Sequence, residues 1–517
     1  MINKSSIIYL ILSVIMVNVL INFDGIFVSN VSGQSSEEKS EDSVIINDPK
    51  LKTELIVSGL EFPTSMAFID KDDFLILEKE TGLVKRVTDG KILDPLLQLD
   101  VSGKDERGLL GIDIFKKEYP AGFDVIYVYL SYVECESKEF CENKVVRYEL
   151  DSENNKLIYP KELFSVESFP DDSHIGGVLK VGLDDNVYVT VGDFHGTEFK
   201  PIYETQAQNF ENGVSADGRA GILRISPDGD PIDNGILGKE YPLNLYFAYG
   251  IRNSFGIGFD PLTGYLWDTE NGPDYGDEIN LVEPGFNSGS LKIFGEFNSN
   301  SNYQFHNIGQ SNTERGPDGL VTFNGNGKYS EPELSWQNTV APTSVTFLDS
   351  NKLGNNYQYD MFVANAGGGK IYHFDLSHDR KHLELKNSLA DKVVDSEIEE
   401  DSITFAEGFG LITDLEMNPY DGYLYVVAPI KGDSSGGSVY KIVPKSPDTI
   451  LFPSGVESTQ GNGQLVQENN NFVICDKLSS FDKALMNEWE EGRITDDQAV
   501  LLGEQAKILM TESRCFN

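Results

Sequence analysis

The feature that most constrains the fold is a strand–turn–strand unit that recurs six times along the chain. Its clearest copy, residues 174–193, reads His-Ile-Gly-Gly-Val-Leu-Lys-Val-Gly-Leu-Asp-Asp-Asn-Val-Tyr-Val-Thr-Val-Gly-Asp. Apolar residues alternate on both sides of a polar turn, which is typical of paired β-strands with one buried face. A third alternating stretch follows in each copy. The first stretches of the copies lie at residues 65–70, 109–114, 174–181, 255–260, 344–348 and 413–417.

This periodicity predicts an all-β chain that folds as a six-bladed β-propeller over residues 50–445. Radial sheets of about four short strands around an axis protect their own edges. Residues 53–57, Thr-Glu-Leu-Ile-Val, precede the first copy, and we expect them to supply the outer strand of the last blade and close the ring. A β-sandwich is the alternative, but that fold does not require a period of this length with the same internal order.

The N-terminal segment predicts export. Lys4 precedes an apolar run at residues 7–21, and Val31-Ser32-Gly33 offers a small-residue cleavage site, so residues 1–33 are interpreted as a signal peptide. An uncleaved membrane anchor is the alternative. Both interpretations place the rest of the chain outside the cytoplasm, as a secreted or cell-surface protein. Residues 34–49 are rich in Ser, Glu and Asp and predict a disordered acidic linker.

The C-terminal residues 446–517 predict a loop and then a short α-helical appendage. Residues 478–491 have a helical pattern, and Thr495-Asp-Asp-Gln498 forms a capping-box sequence before a second amphipathic stretch. This pair either packs as a small core or docks a partner. Four cysteines in an exported chain predict local disulfides, Cys135–Cys141 and Cys475–Cys515.

The charge of the chain excludes several classes of partner. The formal net charge is -42 at neutral pH, and such a surface repels nucleic acid and anionic membranes. The sequence also contains no HExxH, P-loop or GxGxxG motif. It therefore offers no support for a zinc protease, a nucleotide hydrolase or an NAD-dependent enzyme.

Polar residues that strand packing does not explain occur at equivalent places in the copies. They come just before a first strand or just after a second one, and these places lie at the same end of a propeller because the chain reverses at each turn. The set includes Lys79, Arg107, His174, Asp193, Arg252, Asn253, Glu270, Asn271, Thr343 and Thr413. The sequence therefore predicts a polar pocket at one end, surrounded by the long segments 194–219 and 286–340.

Each of these residues also has a purely structural interpretation. A histidine before a strand is more often a satisfied structural residue than a base. Arg252 and Asn253 could tie loops together, and the segment from Glu270 to Pro273 could be only a turn. The register that these residues share across the copies favours a functional role.

Four segments resemble the glucose/sorbosone dehydrogenase family, soluble quinoproteins built on a six-bladed propeller. They are residues 174–193, quoted above, 249–256 (Tyr-Gly-Ile-Arg-Asn-Ser-Phe-Gly), 270–280 (Glu-Asn-Gly-Pro-Asp-Tyr-Gly-Asp-Glu-Ile-Asn) and 410–425, which begins Gly-Leu-Ile-Thr-Asp. Each is weakly specific alone. Together they occur in order and in register with the predicted blades, and the similarity runs from about residue 60 to 443.

The resemblance implies a cofactor and a reaction. Family members bind pyrroloquinoline quinone (PQQ) and Ca²⁺ at one end of the propeller and oxidise sugars or polyols by base-assisted hydride transfer, passing electrons to an external acceptor. His174 matches the base, and a neutral imidazole suits proton removal near neutral pH. The carbonyls of Gly272 and Pro273 match the Ca²⁺ ligands. The positions matched to cofactor contacts are Arg252, Asn253, Asn271, Thr343 and Thr413.

The chain departs from the family pattern at the cations that hold the cofactor's carboxylates. The resemblance places a lysine and two arginines where this chain has Gly367, Leu411 and Thr413, and Arg107 and Lys370 are candidate substitutes. Two functions follow. One is an extracytoplasmic quinoprotein dehydrogenase that uses PQQ and Ca²⁺. The other is a non-catalytic propeller that binds a glycan, a cell-envelope component or a protein partner.

Overall fold

A computed structural model of the chain describes residues 44–119, 123–137, 140–169, 173–194, 204–297, 317–429 and 436–445. The chain divides into two units, Met1–Lys445 and Ser446–Asn517, and every described residue lies in the first. The predicted signal peptide, the C-terminal helical pair and the Cys475–Cys515 disulfide lie outside the described residues. In the described ranges, no helix has the length and apolar content that crossing a membrane requires.

The strands of the described residues form six separate sheets, called I to VI here in the order of their first strands. Sheet I contains Pro63–Asp70, Asp73–Glu78, Leu83–Thr88, Lys91–Ile92 and Leu97–Gln98. Sheet II contains Leu109–Tyr119, Phe123–Cys135, Cys141–Asp151 and Lys156–Ser168. Sheet III contains Gly176–Val181, Val187–Val191, Gly221–Ile225, Tyr246–Tyr249, Phe286–Asn287 and Lys328–Tyr329.

In the remaining sheets the first three strands again pair antiparallel, and Val393–Val394 adds to sheet IV in parallel. Sheet IV contains Ser254–Phe259, Leu266–Glu270, Asp277–Val282, Leu334–Trp336 and Val393–Val394. Sheet V contains Pro342–Phe347, Met361–Asn365, Ile371–Phe374, Thr404–Glu407 and Ile45–Ile46. Sheet VI contains Asp414–Met417, Leu424–Ala428, Gly437–Pro444 and Leu51–Leu60. Within the described ranges, helix is confined to one short α-helix, Glu397–Ile403, and the 3-10 turns Gln206–Gln208, Leu243–Leu245 and Asn387–Asp391.

The predicted all-β propeller is confirmed, and hydrogen bonds link the sheets in cyclic order. A side chain of one sheet or its flanking loop donates to a backbone carbonyl of the next at every boundary. These bonds run from Thr64 to Leu109, Ser131 to Gly177, Thr190 to Ser254, Asn271 to Pro342, Thr343 to Ile412 and Thr413 to Pro63. The last bond returns to sheet I, so the ring has no open end.

The outer strand of sheet VI comes from the N-terminal side of the propeller, as the sequence predicts. Leu51–Leu60 runs antiparallel to Gly437–Pro444, with Thr53 opposite Ile442. This pairing joins the two ends of the ring by main-chain hydrogen bonds, which protects the edge that each would expose alone.

The predicted acidic linker, residues 34–49, was given a C-terminal boundary too late in the chain, because the propeller already includes Ile45–Ile46. Ile45–Ile46 pairs antiparallel with Thr404–Glu407 as an additional strand of sheet V. The Asn47 amide donates to the Thr404 carbonyl at 2.6 Å, and the Tyr357 hydroxyl donates to Asp48 at 3.1 Å. These long-range contacts order a polar segment for which composition alone predicts disorder. Residues 34–43 lie outside the described part of the chain.

The hydrophobic core lies between neighbouring sheets. One cluster, for example, packs Val57, Tyr425, Val427 and Val439 of sheet VI against Met66, Phe68, Phe74 and Val87 of sheet I. Because each sheet buries both faces, apolar residues on both sides of its strands contribute to the free energy of folding. A disulfide, Cys135–Cys141, joins the second and third strands of sheet II, as predicted.

Candidate active site

The first strands converge on a cavity at one end of the ring axis. The cavity measures about 460 Å³, within the size range of small-molecule sites. All of the predicted site residues line it: His174, Arg252, Asn253, Asn271, Gly272, Pro273, Thr343 and Thr413. Their shared position before first strands and after second strands therefore corresponds to a shared location in space. The roles assigned to them stay predictions.

His174 is held in a left-handed backbone conformation, with φ of 57°. Its N–H donates to Glu106 Oε2 at 2.7 Å. The neighbouring hairpin strand approaches so closely that a Cβ on Gly192 would lie 1.9 Å from the His174 carbonyl oxygen. A non-glycine residue with positive φ is uncommon, and here the surrounding hydrogen bonds and packing maintain it.

The imidazole of His174 is oriented by a buried carboxylate. Nδ1 lies 2.7 Å from Asp193 Oδ1, and the side chains of His174 and Asp193 are 12% and 1% exposed. Because an ionised carboxylate only accepts hydrogen bonds, this pairing favours the tautomer with the proton on Nδ1. Nε2 is then the proton-accepting nitrogen, and His174 lines the cavity. The pair has the arrangement of an oriented general base.

Glu106 connects three sheets at the same end of the axis. Besides the His174 N–H, its Oε2 accepts a hydrogen bond from Asn253 Nδ2 at 3.1 Å. Asn253 Oδ1 in turn accepts from the Gly176 N–H at 3.2 Å. Asn253 therefore positions the segment that carries the histidine, which is the loop-tying role the sequence left open.

Arg252 contacts the turn that carries the predicted metal ligands. Its Nη1 donates to the carbonyls of Asn271 and Gly272, both at 2.8 Å. Its backbone N–H donates to Glu270 Oε1 at 2.6 Å. Burial raises the pKa of Glu270 to about 7, although the Arg252 N–H and the Ser288 hydroxyl favour its ionised form.

Asp277 stabilises the same turn from behind. Its Oδ1 accepts from the Gly272 N–H at 2.8 Å, and its Oδ2 accepts from Thr339, Val340 and Ala341. Carbonyl oxygens presented by a fixed turn suit a hard cation such as Ca²⁺. Gly272 and Pro273 thus have the chemistry expected of metal ligands.

Three predicted cofactor contacts also hold the sheets together. The hydroxyls of Thr343 and Thr413 donate to the Ile412 and Pro63 carbonyls, both at 2.9 Å. Asn271 Nδ2 donates to the Pro342 carbonyl at 3.0 Å. Each of these side chains therefore has a structural role in addition to its place on the cavity wall.

The two candidate substitute cations do not line the cavity. The Arg107 side chain is buried, with Nη2 3.8 Å from Asp105, and Lys370 pairs with Glu400 at 3.1 Å. Of the positions matched to the family's cations, Leu411 and Thr413 line the cavity and carry no charge. Cationic lining comes instead from Lys79, Lys180 and Arg252.

The contacts of Glu106, Asp193, Glu270 and Lys79 were not predicted from the sequence. Asp193, Glu270 and Lys79 each stand at or just after the end of a second strand, and this position alone predicts that they lie near the pocket. Glu106 also stands near the start of a first strand, but no local pattern connects it with His174, which is 68 positions away in the sequence.

The sequence matches a family model and several individual proteins. The model described as Glucose / Sorbosone dehydrogenase matches residues 60–429. Aldose sugar dehydrogenase YliI of Escherichia coli is 23% identical over 401 residues, covering 77% of this chain and 94% of that enzyme. Quinoprotein glucose dehydrogenase B of Acinetobacter calcoaceticus is 26% identical over 320 residues, covering 57% of this chain and 64% of that enzyme.

Two further comparisons agree with these. An uncharacterized Synechocystis protein, slr1608, is 30% identical over 271 residues, covering 50% of this chain and 63% of that protein. These two matches span less than two thirds of the Synechocystis protein and of the Acinetobacter enzyme. The fold matches the PQQ-bound aldose sugar dehydrogenase of Streptomyces coelicolor with a TM-score of 0.53 and 19% identity, covering 77% of this chain and 99% of the other. The chain belongs to the glucose/sorbosone dehydrogenase family.

Proposed function

We propose that the chain is an extracytoplasmic quinoprotein dehydrogenase that oxidises a sugar or polyol with PQQ and Ca²⁺. The observation that carries this proposal is that His174, oriented by Asp193, lines the same cavity as Arg252, Gly272 and Pro273. Relatives named as an aldose sugar dehydrogenase and a quinoprotein glucose dehydrogenase support the same chemistry.

The cavity is lined by three carboxylates, Asp105, Glu106 and Asp414, as well as by cations, and two of the cations are available to an anionic cofactor. Arg252 and Lys79 line it, and neither has a carboxylate within ion-pair distance among the described residues, so both can meet the carboxylates of PQQ. Gly272 and Pro273 would supply the oxygen ligands that Ca²⁺ prefers. When bound, the quinone would accept a hydride from the substrate carbon.

The chain's own residues perform the proton transfer. A substrate hydroxyl placed against Nε2 of His174 loses its proton to that nitrogen as the C–H bond breaks. The Asp193 carboxylate, 2.7 Å from Nδ1, stabilises the imidazolium that forms and keeps the ring in the productive orientation. A positioned base of this kind contributes about 10²- to 10⁴-fold to a rate. An external electron acceptor then completes the turnover.

The proposal includes the ring architecture and the location. The cyclic order of the sheets supports a six-bladed count. The Cys135–Cys141 disulfide supports an oxidising compartment, consistent with a secreted or cell-surface protein that associates with the cell envelope.

Titration and kinetics with the full chain test the proposal. We expect saturable binding of PQQ in the presence of Ca²⁺, followed by quinone absorbance, and reduction of an artificial electron acceptor when aldoses or polyols are added. His174→Ala should lower the turnover number at least about 100-fold while leaving the unfolding temperature close to wild type. His382→Ala, at a histidine that is 59% exposed and outside the cavity, is the matched control.

The alternative is a propeller that binds a glycan, an envelope component or a protein without catalysis. The uncharged residues Gly367, Leu411 and Thr413, at positions where the family resemblance places cations, favour it. Absence of saturable PQQ binding by the folded wild-type protein would support this alternative and contradict the dehydrogenase.

A further inference from the structure

Lys79 is a buried lysine on the wall of the cavity. It directly follows the second strand of sheet I, Asp73–Glu78, and only 8% of the residue is exposed. Its Nζ donates one hydrogen bond, to the Gly103 carbonyl at 2.9 Å, and lies 5.4 Å from the centre of the Phe62 ring. An ammonium group has three donors, so most of its hydrogen-bonding capacity remains for a ligand.

The charge of Lys79 has no carboxylate partner within 4 Å among the described residues. Other largely buried cations do have such partners: Lys180 pairs with Glu416, Arg147 with Asp228, Arg219 with Asp217 and Lys441 with Asp421. Burial lowers the pKa of Lys79, and neighbouring Arg107 acts in the same direction, whereas Glu80, Asp105 and Glu106 oppose the shift from longer range. A buried cation without a contacting anion is costly unless a ligand supplies one.

The position of the ammonium group is set by the backbone around it. Gly108 lies against the lysine stem, and a Cβ there would lie 2.8 Å from Lys79 Cγ. The Lys79 carbonyl accepts from the Leu109 N–H at 3.0 Å, and the Lys79 N–H donates to the Phe62 carbonyl at 3.1 Å. The residue is therefore fixed between sheets I and II and does not need to be ordered when a ligand binds.

Arg252 provides a second cation of the same kind elsewhere on the cavity wall. Its side chain donates to the Asn271 and Gly272 carbonyls and forms no ion pair with a described carboxylate. One cavity thus presents two cations, from different sheets, that are bonded only to neutral oxygens. This arrangement suits a ligand that carries more than one carboxylate.

We propose that Lys79 binds a carboxylate of the anionic cofactor, in place of the cations that are absent at Gly367, Leu411 and Thr413. This inference rests on the proposed function, since it names the residue that anchors the cofactor at that site. It assigns the anchor to sheet I, whereas the three positions that the family resemblance matches to cations lie next to sheets V and VI.

Equilibrium titration with PQQ at fixed Ca²⁺ tests the inference without measuring catalysis. Lys79→Met keeps most of the apolar stem and removes the charge, and we expect it to weaken binding about tenfold or more, as loss of a charge-assisted hydrogen bond predicts. Lys71→Met is the control, because Lys71 lies in the exposed turn at the other end of the same hairpin and changes the net charge equally. Circular dichroism and thermal unfolding establish that each variant is folded.

A second arm uses the wild-type protein with the trimethyl ester of PQQ, which lacks the carboxylate charges. We expect the ester to bind the wild type at least about tenfold more weakly than PQQ, and this difference to shrink in Lys79→Met. Equal binding of acid and ester by the wild type, or wild-type affinity for PQQ in folded Lys79→Met, would overturn the inference. A wild-type protein that does not bind PQQ at all would instead overturn the proposed function.

Discussion

His174 shows how much the placement of a candidate base depends on its neighbours. Asp193 fixes the ring through Nδ1, and Glu106 fixes the backbone through the amide N–H. The backbone at His174 has a positive φ, a conformation that costs of order 1–3 kcal/mol and persists only where its surroundings enforce it. Such strain is common where a protein must aim one functional group.

Asp193→Asn is expected to lower the turnover number about 100-fold or more with little change in the Michaelis constant. The amide no longer stabilises the imidazolium, and it can favour the wrong tautomer. Steady-state kinetics across pH with PQQ, Ca²⁺ and an aldose measure the effect. An unfolding temperature close to that of the wild type distinguishes this loss from a purely structural defect. Wild-type turnover in this variant would contradict the positioning role.

The hairpin of residues 174–193 is the element that brings this geometry together. Its inner strand, Gly176–Val181, pairs with Val187–Val191 through an irregular register between Gly176 and Leu179. That irregularity lets the chain turn from the strand into the cavity wall at His174. Gly192 stands opposite, and its N–H donates to the Ile175 carbonyl at 3.2 Å. A side chain at this position would occupy the space of the His174 backbone.

Gly192→Ala is expected to lower the free energy of unfolding by about 1–3 kcal/mol, because the added Cβ collides with backbone atoms that have no alternative position. It should also abolish most of the proposed dehydrogenase activity by displacing His174. Gly325→Ala is the control: its φ of 88° is unfavourable for alanine, but an added Cβ meets nothing within 4 Å. Urea denaturation and turnover measure the two effects. Full activity in Gly192→Ala would show that the close approach is not needed.

Charged side chains from different sheets lie close together near the axis of the ring. Lys180 of sheet III pairs with Glu416 of sheet VI, and it lines both the candidate active-site cavity and a second cavity. Burial raises the pKa of Asp113 and of Asp414, and the charge of Lys180 only partly offsets the shift. These carboxyl groups come from different sheets, so only ring closure brings them near one lysine.

The fall in stability with rising pH should be less steep in Asp113→Asn than in the wild type. A carboxyl whose pKa is raised on folding contributes stability below its ordinary pKa of 3.8, and that contribution is lost as pH rises through the folded value. Thermal or urea unfolding from about pH 4 upward measures the slope. Asp72→Asn, at a carboxylate that is 55% exposed, should retain the wild-type slope. Identical slopes in all three proteins would contradict the assignment to Asp113.

The sequence by itself determined the strands, their repetition, the closing segment 53–57 and the end of the ring at which polar residues gather. These properties follow from the period of apolar residues and the direction of each strand, which are local. Only the tertiary structure decided that Glu106 holds His174, that residues 45–48 join the propeller, and that Lys79, rather than Arg107 or Lys370, lines the cavity. Such contacts depend on how separate sheets pack around the axis, and no local periodicity specifies which side chains meet there.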